Sequence, residues 1–231
     1  MTTLAILGAG KMGKLLAQLA PEHGFTVVAQ LDKDETARGL TAESLRGAAV
    51  VIEFTEPHAA AALVKQCAAL GVPVVSGTTG WDAERALVET FVRNSAGALL
   101  WAPNFALGVH LFAKVVEEAA RRFASERAGF DAHLVETHHA KKLDAPSGTA
   151  RMLALVAERA LGKAIPVTSV RTGHVPGTHE LVFDAAFEQV RLVHEARDRR
   201  VFAAGALAAA RWLVGKRGVF TLDDFLGDTI R

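Results

Sequence analysis

A short apolar run from Thr3 to Leu7 meets the pattern Gly8-Ala9-Gly10-Lys11-Met12-Gly13, and a helical spacing of Leu15, Leu16, Leu19 and Ala20 follows at once. Strand, glycine turn and helix in that order restrict the fold more than any other feature of the chain. Gly8 permits the tight turn, Gly10 lets backbone approach a pyrophosphate, and Gly13 lets the helix pack close to the strand. The alternation then repeats. Apolar strands are expected at Phe25 to Leu31, Ala49 to Thr55, Pro73 to Ser76 and Ala98 to Ala102, with helices at Pro57 to Leu70 and Asp82 to Asn94. The polar link from Lys33 to Ala48 has room for one abbreviated helix. Apolar strands separated by helices imply a parallel sheet covered on both faces.

The expected class is therefore α/β, with a Rossmann-like doubly wound parallel sheet. Ligands of such sheets bind at the carboxyl ends of the strands. Asp32 closes the second strand nineteen residues after Gly13, where an acid reaches the adenosine ribose. A carboxylate there favours NAD, because it repels a 2′-phosphate; Lys33 beside it offsets that repulsion and leaves NADP open. Three loops share the edge: Glu53-Phe-Thr55-Glu-Pro57, Gly77-Thr78-Thr79-Gly-Trp81 and Ala102-Pro103-Asn104-Phe105. They offer backbone amides, two threonine hydroxyls, an amide side chain and a flat apolar ring beside a nicotinamide or ribose.

The pattern changes class in the second half. A helix is expected at Ala106 to Ala124 with a stripe of Leu107, Leu111, Val115 and Ala119, then a strand from Phe130 to Thr137. Segments Val167 to Arg171, Glu180 to Phe187 and Gln189 to Glu195 have no long helix between the later two, so a second α+β domain with an open mixed sheet is expected. An open sheet needs cover, which points to a homo-oligomer. Arg200 to Val214 reads as an alanine-rich apolar helix.

The densest chemistry lies at Glu136 to Ala150, ETHHAKKLDAPSGTA. His138 and Lys142 can move a proton near neutral pH, and Ser147-Gly148-Thr149 opens a helix whose first amides suit a carboxylate or phosphate. Adjacent strand residues point to opposite faces, so His138 and His139 should divide proton transfer and substrate holding between them. A metal site is discounted: no cysteine or further ligand cluster completes a set, and Lys142 repels a cation.

Net charge is +1 with acids and bases interspersed, and nothing suggests a nucleic-acid or membrane surface. The N-terminal apolar run is too short for a signal peptide or membrane span. The lone Cys67 excludes an intramolecular disulfide, and a cytoplasmic protein is expected.

The set G-x-G-x-x-G, EFT-x-P, GTTGW, PNF-x-x-GV, E-x-HH-x-x-K-x-DAPSGTA and R-x-G-x-x-PG-x-H runs in order through almost the whole chain. It resembles the dihydrodipicolinate reductase family, also called 4-hydroxy-tetrahydrodipicolinate reductase, of bacterial lysine and diaminopimelate biosynthesis. The resemblance implies a reductase using NADH or NADPH on a small cyclic dicarboxylate. It implies a dinucleotide-binding domain of residues 1–105 and 207–231, and a domain of residues 106–206 that binds substrate and builds a homotetramer. Gly8 to Gly13, Asp32, Lys33, Gly77 to Thr79 and Ala102 to Phe105 would bind cofactor. His138 and Lys142 would be catalytic; His139, Ser147, Gly148 and Thr149 would hold substrate. Without the resemblance, the residues also fit another two-domain nicotinamide dehydrogenase or a non-catalytic NAD(H)-sensing module.

Overall fold

The computed structural model describes residues 1–124 and 129–229, which fall into two compact units. The first comprises Met1–Phe105 and the stretch from Arg200 onward; the second is Ala106–Arg199.

The first unit is built on a six-stranded sheet, every pair parallel, of β1 (Thr2–Leu7), β2 (Phe25–Leu31), β3 (Val50–Glu53), β4 (Val74–Ser76), β5 (Ala98–Trp101) and β10 (Gly218–Phe220). Its order is β10-β5-β4-β3-β1-β2. The helices are α1 (Lys11–Leu19), α2 (Lys33–Ala37), α3 (Pro57–Ala69), α4 (Asp82–Arg93), α7 (Arg200–Leu213) and α8 (Leu222–Thr229). Strands β3 and β4 are buried at every residue and apolar up to their last residues, Glu53 and Ser76; edge strand β2 is partly exposed. Leu7, Leu31, Val51, Val64, Val74 and Leu99 belong to one apolar core with Cys67.

The sheet ends differ from expectation in an instructive way. Strand β3 stops at Glu53 rather than Thr55, because the Thr55 amide turns to the Glu53 carboxylate and the Thr78 hydroxyl instead of to a neighbouring strand. The first unit resumes at Arg200, so α7 belongs to it entire, seven residues earlier than the boundary the family pattern implied.

The second unit carries a four-stranded sheet, order β7-β6-β8-β9, of β6 (Asp131–His138), β7 (Val167–Arg171), β8 (Thr178–Asp184) and β9 (Gln189–Glu195). Pair β6–β7 is parallel, and β6–β8 and β8–β9 are antiparallel. Helices α5 (Leu107–Phe123) and α6 (Gly148–Leu161) form one core with this sheet, through Val116, Ala120, Leu153, Ala157, Leu134, Leu181 and Phe183. The buried stripe of α5 is Val109, Ala113, Val116 and Ala120; Leu111 and Val115 of the expected stripe are exposed. Apolar residues lie on two sides of this helix, and small alanines take the inner side because they let the helix approach its neighbour closely. Strand β8 ends at Asp184 and not Phe187, since Ala185 and Glu188 close a turn into β9 and leave Phe187 in solvent. Among the described residues, no helix is long and apolar enough to cross a membrane.

A Cβ at Gly13 would overlap the Gly8 carbonyl, whereas one at Gly10 would meet nothing within 4 Å. Gly13→Ala should therefore cost about 1–3 kcal/mol of stability, lowering Tm by roughly 3–10 °C. Gly10→Ala should stay within about 0.5 kcal/mol of wild type. Thermal denaturation followed by circular dichroism checks both, and equal Tm values would refute the packing account.

Candidate active site

Two clusters carry chemistry, one in each unit. In the first, Gly8 turns with φ of 105°, and its bare Cα faces the Phe54 carbonyl, so the loops after β1 and β3 lie against each other. Helix α1 begins beyond Gly10 with no side-chain cap, leaving its first-turn amides for a ligand. A cavity of about 580 Å3 opens there, walled by Gly8, Gly10, Asp32, Lys33, Phe54 and Thr55 among others. A glycine cradle that side chains would obstruct, uncapped amides and a cavity of this size fit the diphosphate and ribose of a dinucleotide.

Asp32 is exposed and forms a capping box with Glu35: its Oδ1 accepts the Glu35 amide at 2.9 Å, and its own amide donates to Glu35 at 2.8 Å. Lys33 pairs with Glu56 at 3.0 Å. Ala9 and Lys11 are exposed, Met12 is half-buried and Gly13 is buried in the packing of α1. The loops at 77–79 and 102–105 follow β4 and β5 farther along the same edge. They differ from what their composition suggests. Thr78 is buried, and its hydroxyl donates inward to Glu53 at 2.5 Å, so it is not offered to a ligand. Gly77 sits against the Phe54 ring; Thr79 is exposed. Phe105 is a core residue packed edge-on to Phe54, with centroids 6.1 Å apart, rather than an open platform. Ala102 is buried as well, while Pro103 is exposed and Asn104 half-buried.

In the second unit the register of the sheet assembles the site. Glu136 and His138 lie two apart on β6 and share its inner face. Across the parallel ladder His138 is opposite Arg171, and across the antiparallel ladder Glu136 is opposite His179, which is opposite His194. Glu136 is fully buried: it accepts His138 Nδ1, Arg171 Nη2 at 2.6 Å and the Ser147 amide at 3.2 Å. Arg171 also donates to the Asp144 carbonyl at 2.6 Å, tying the turn before α6 to the sheet. Ser147 caps α6, accepting the Ala150 amide at 3.1 Å, and its hydroxyl lies 3.3 Å from His179 Nε2. It is buried, so of the helix opening only Gly148 and Thr149 remain accessible. Lys142 pairs with Asp144 at 2.6 Å. His139 follows the end of β6, is half-exposed, and lines a cavity of about 390 Å3 with Lys141 and His174.

Burial alone would raise the Glu136 carboxyl, but the Arg171 guanidinium, the Ser169 hydroxyl and His138 hold it down at about 2. His138 is lowered from the ordinary imidazole value by burial, with Lys142 and Arg171 adding to the effect against the opposing pull of Glu136. Burial, with His138 beside it, takes His179 to about 4. At neutral pH both rings are neutral, and Nδ1 of His138 carries the proton it gives to Glu136. Donor atoms of Glu136, His138 and His179 all lie within 4.8 Å, a spacing that admits a metal ion. The Arg171 guanidinium already supplies positive charge to Glu136, which fits a cation poorly.

Family models match almost the whole chain: "Dihydrodipicolinate reductase, N-terminus" at residues 2–105 and "Dihydrodipicolinate reductase, C-terminus" at residues 108–226. The chain belongs to the dihydrodipicolinate reductase family. A 4-hydroxy-tetrahydrodipicolinate reductase of Xanthomonas euvesicatoria pv. vesicatoria is 39% identical, covering 94% of this chain and 95% of that one. Another, of Christiangramia forsetii, is 32% identical over 99% of both. In fold, a dipicolinate-bound dihydrodipicolinate reductase from Paenisporosarcina sp. TG-14 is similar, with a TM-score of 0.80, 24% identity and coverage of 96% of this chain and 97% of that one. Family membership places the chain among the NAD(P)H-dependent oxidoreductases of lysine and diaminopimelate biosynthesis.

Glu136, Arg171 and His179 were not singled out by residue type. The i, i+2 spacing of Glu136 and His138 is the one local signal; the other two depend on strand pairing.

The lowered His179 has a consequence for stability. Its folded value of about 4 lies below the ordinary 6.5, so the unfolded chain binds more protons in between, and stability is lost as the pH drops from 6.5 toward 4. His138 and His194, also lowered, act in the same direction. Wild type should lose on the order of 2–3 kcal/mol more than His179→Gln between about pH 7 and pH 4.5. Urea midpoints at the two pH values measure this; parallel losses would refute it.

Proposed function

We propose that this chain reduces 4-hydroxy-tetrahydrodipicolinate to tetrahydrodipicolinate, with the first unit holding NADH or NADPH and the second holding the cyclic dicarboxylate. The observation that carries the reading is the buried Glu136–His138 pair beside the open amides of α6. Bound reduced nicotinamide supplies the hydride, delivered to C4 of the substrate. The Gly148 and Thr149 amides, with the dipole of α6 behind them, hold one carboxylate. Lys142 and His139 add positive charge and hydrogen bonding, and the substrate competes with Asp144 for the Lys142 ammonium.

Reduction of a conjugated imine leaves nitrogen and carbon that must gain a proton. With Nδ1 donating to Glu136, Nε2 of the neutral His138 ring carries a lone pair, so it takes up a proton from solvent and hands it on, while Lys142, which carries its own proton, is the second acid. NADH is the preferred cofactor in this reading. Asp32 and Glu35 both present carboxylates where a 2′-phosphate would lie, and Lys33 is already neutralised by Glu56. We further place the protein in the cytoplasm as a homotetramer assembled through the second sheet, whose outer face exposes Val170 and Val193. A monomer mass in light scattering would overturn that assembly.

Purified protein should oxidise NADH in the presence of the freshly made condensation product of pyruvate and aspartate semialdehyde, followed as loss of reduced-nicotinamide absorbance. His138→Gln should lower kcat by about 100-fold or more with little change in KM. Lys142→Ala should damage both constants, because it removes a proton donor and a charge partner. No oxidation with either cofactor would overturn the function, and wild-type turnover in either variant would overturn its role.

A further inference from the structure

Glu53, the last residue of β3, has no exposed surface and no part in the roles assigned above. Its Oε1 accepts the Thr55 amide at 2.8 Å and the Thr55 and Thr78 hydroxyls at 2.5 Å each, and its Oε2 accepts the Ser76 hydroxyl at 2.6 Å. Three of these four neutral donors converge on Oε1 and one meets Oε2. Among the described residues, Glu53 makes no ion pair, in contrast to Glu136 with Arg171. Its charge is felt nearby. The Cys67 thiol is pushed up to about 12, first by burial and then by Glu53.

The same hydrogen bonds lock the edge above the carboxylate. The Thr55 amide also reaches the Thr78 hydroxyl at 2.8 Å. The Thr78 carbonyl accepts the indole N–H groups of both Trp81 and Trp101, at 2.8 and 3.0 Å, whose rings meet edge to face. Loop 77–79 is therefore held from below by Glu53 and from the side by two tryptophans.

Sheet order says which part of the cofactor lies there. Asp32 ends β2 at one flank, the glycine turn follows β1, and β3 and β4 come next. A dinucleotide with its adenosine ribose at Asp32 and its diphosphate at Gly8 and Gly10 carries its nicotinamide over the ends of β3 and β4. The oxidised ring is a cation; the reduced ring is neutral. A buried carboxylate with only neutral partners distinguishes the two.

We propose that Glu53 is a positioning residue for the nicotinamide end of the cofactor, and that its unpaired buried charge favours the oxidised ring over the reduced one. The inference rests on the cofactor reading above. In the reaction the bound cofactor would supply a hydride, one hydrogen with the electron pair of its C–H bond, to the substrate carbon, and the oxidised ring would carry a positive charge. Glu53 takes no part in the bonds made and broken; it lowers the cost of the charge that appears.

The test is equilibrium binding of NAD+ and NADH, each titrated separately by calorimetry into full-length wild type, Glu53→Gln and Ser76→Ala. Glu53→Gln keeps the shape and removes the charge, so the affinity ratio of NAD+ to NADH should fall by roughly 5- to 30-fold. Ser76→Ala keeps the charge and removes a donor that partly screens it, so the ratio should rise. A purely structural role would weaken both forms equally. An unchanged ratio in Glu53→Gln, with both forms still bound, overturns the proposal. If Glu53→Gln fails to fold by circular dichroism, Ser76→Ala decides: a raised ratio supports the proposal and an unchanged one overturns it. Wild type that binds neither form overturns the cofactor reading, and this inference with it.

Discussion

Glu136 is an anion without exposed surface, and the second unit is arranged around neutralising it. A buried charge is tolerated only when hydrogen bonds, a counter-charge or both replace the water it has lost. Three elements converge to meet that demand: β7 brings Arg171, the start of α6 brings the Ser147 amide, and β6 itself brings His138. Each partner serves a second purpose. Arg171 holds the Asp144 carbonyl, so the turn before α6 is fixed to the sheet; Ser147 caps that helix; and His138 is oriented with Nδ1 toward the carboxylate. The start of α6 and the His138 ring are thus positioned by one buried carboxylate.

The first unit solves the same problem differently. Glu53 is equally buried, but hydroxyls and an amide satisfy it without a cation. Arginine beside Glu136 cancels most of its charge at a distance, so that site works through local orientation. Neutral donors beside Glu53 satisfy its lone pairs and leave its long-range field in place. Two strand-end carboxylates therefore contribute in different ways, one through geometry and one through potential.

How much of this was legible in the sequence follows from the range of the interactions. The glycine turn, the parallel strands and the opening of α6 are local, set by spacing within about a dozen residues, and they were readable from Gly8, Gly13 and Ser147-Gly148-Thr149. The different exposure of His138 and His139 was also local: His138 is the last inward residue of β6, and His139 follows just past the strand end. Glu136, Arg171 and His179 become partners only through register across three strands. The apolar character of Phe105 and the hydroxyl of Thr78 were visible, but whether they face a ligand or the core depends on Phe54 and Glu53, fifty-one and twenty-five positions away. Helix α5 shows the same limit: two apolar stripes satisfied the 3.6-residue period, and only packing against α6 chose between them.

The glycine-rich segment after Arg171 shows how a residue with no side chain constrains the surroundings of His138. A Cβ at Gly177, which has φ of 154°, would lie 2.9 Å from His138 Nε2. That nitrogen is the one left over after Nδ1 is committed to Glu136, so any side chain at 177 would press on the only ring nitrogen of His138 without a partner on the sheet. Glycine is required there twice, for its backbone angle and for the space it leaves. The loop also hands the chain to β8, where His179 stands beside the His138 ring with centroids 5.2 Å apart. A neutral neighbour on one side and a bare Cα on the other keep the His138 ring both desolvated and reachable. These are opposing demands on a 7% exposed side chain, and the pattern Gly-x-His meets both within three residues.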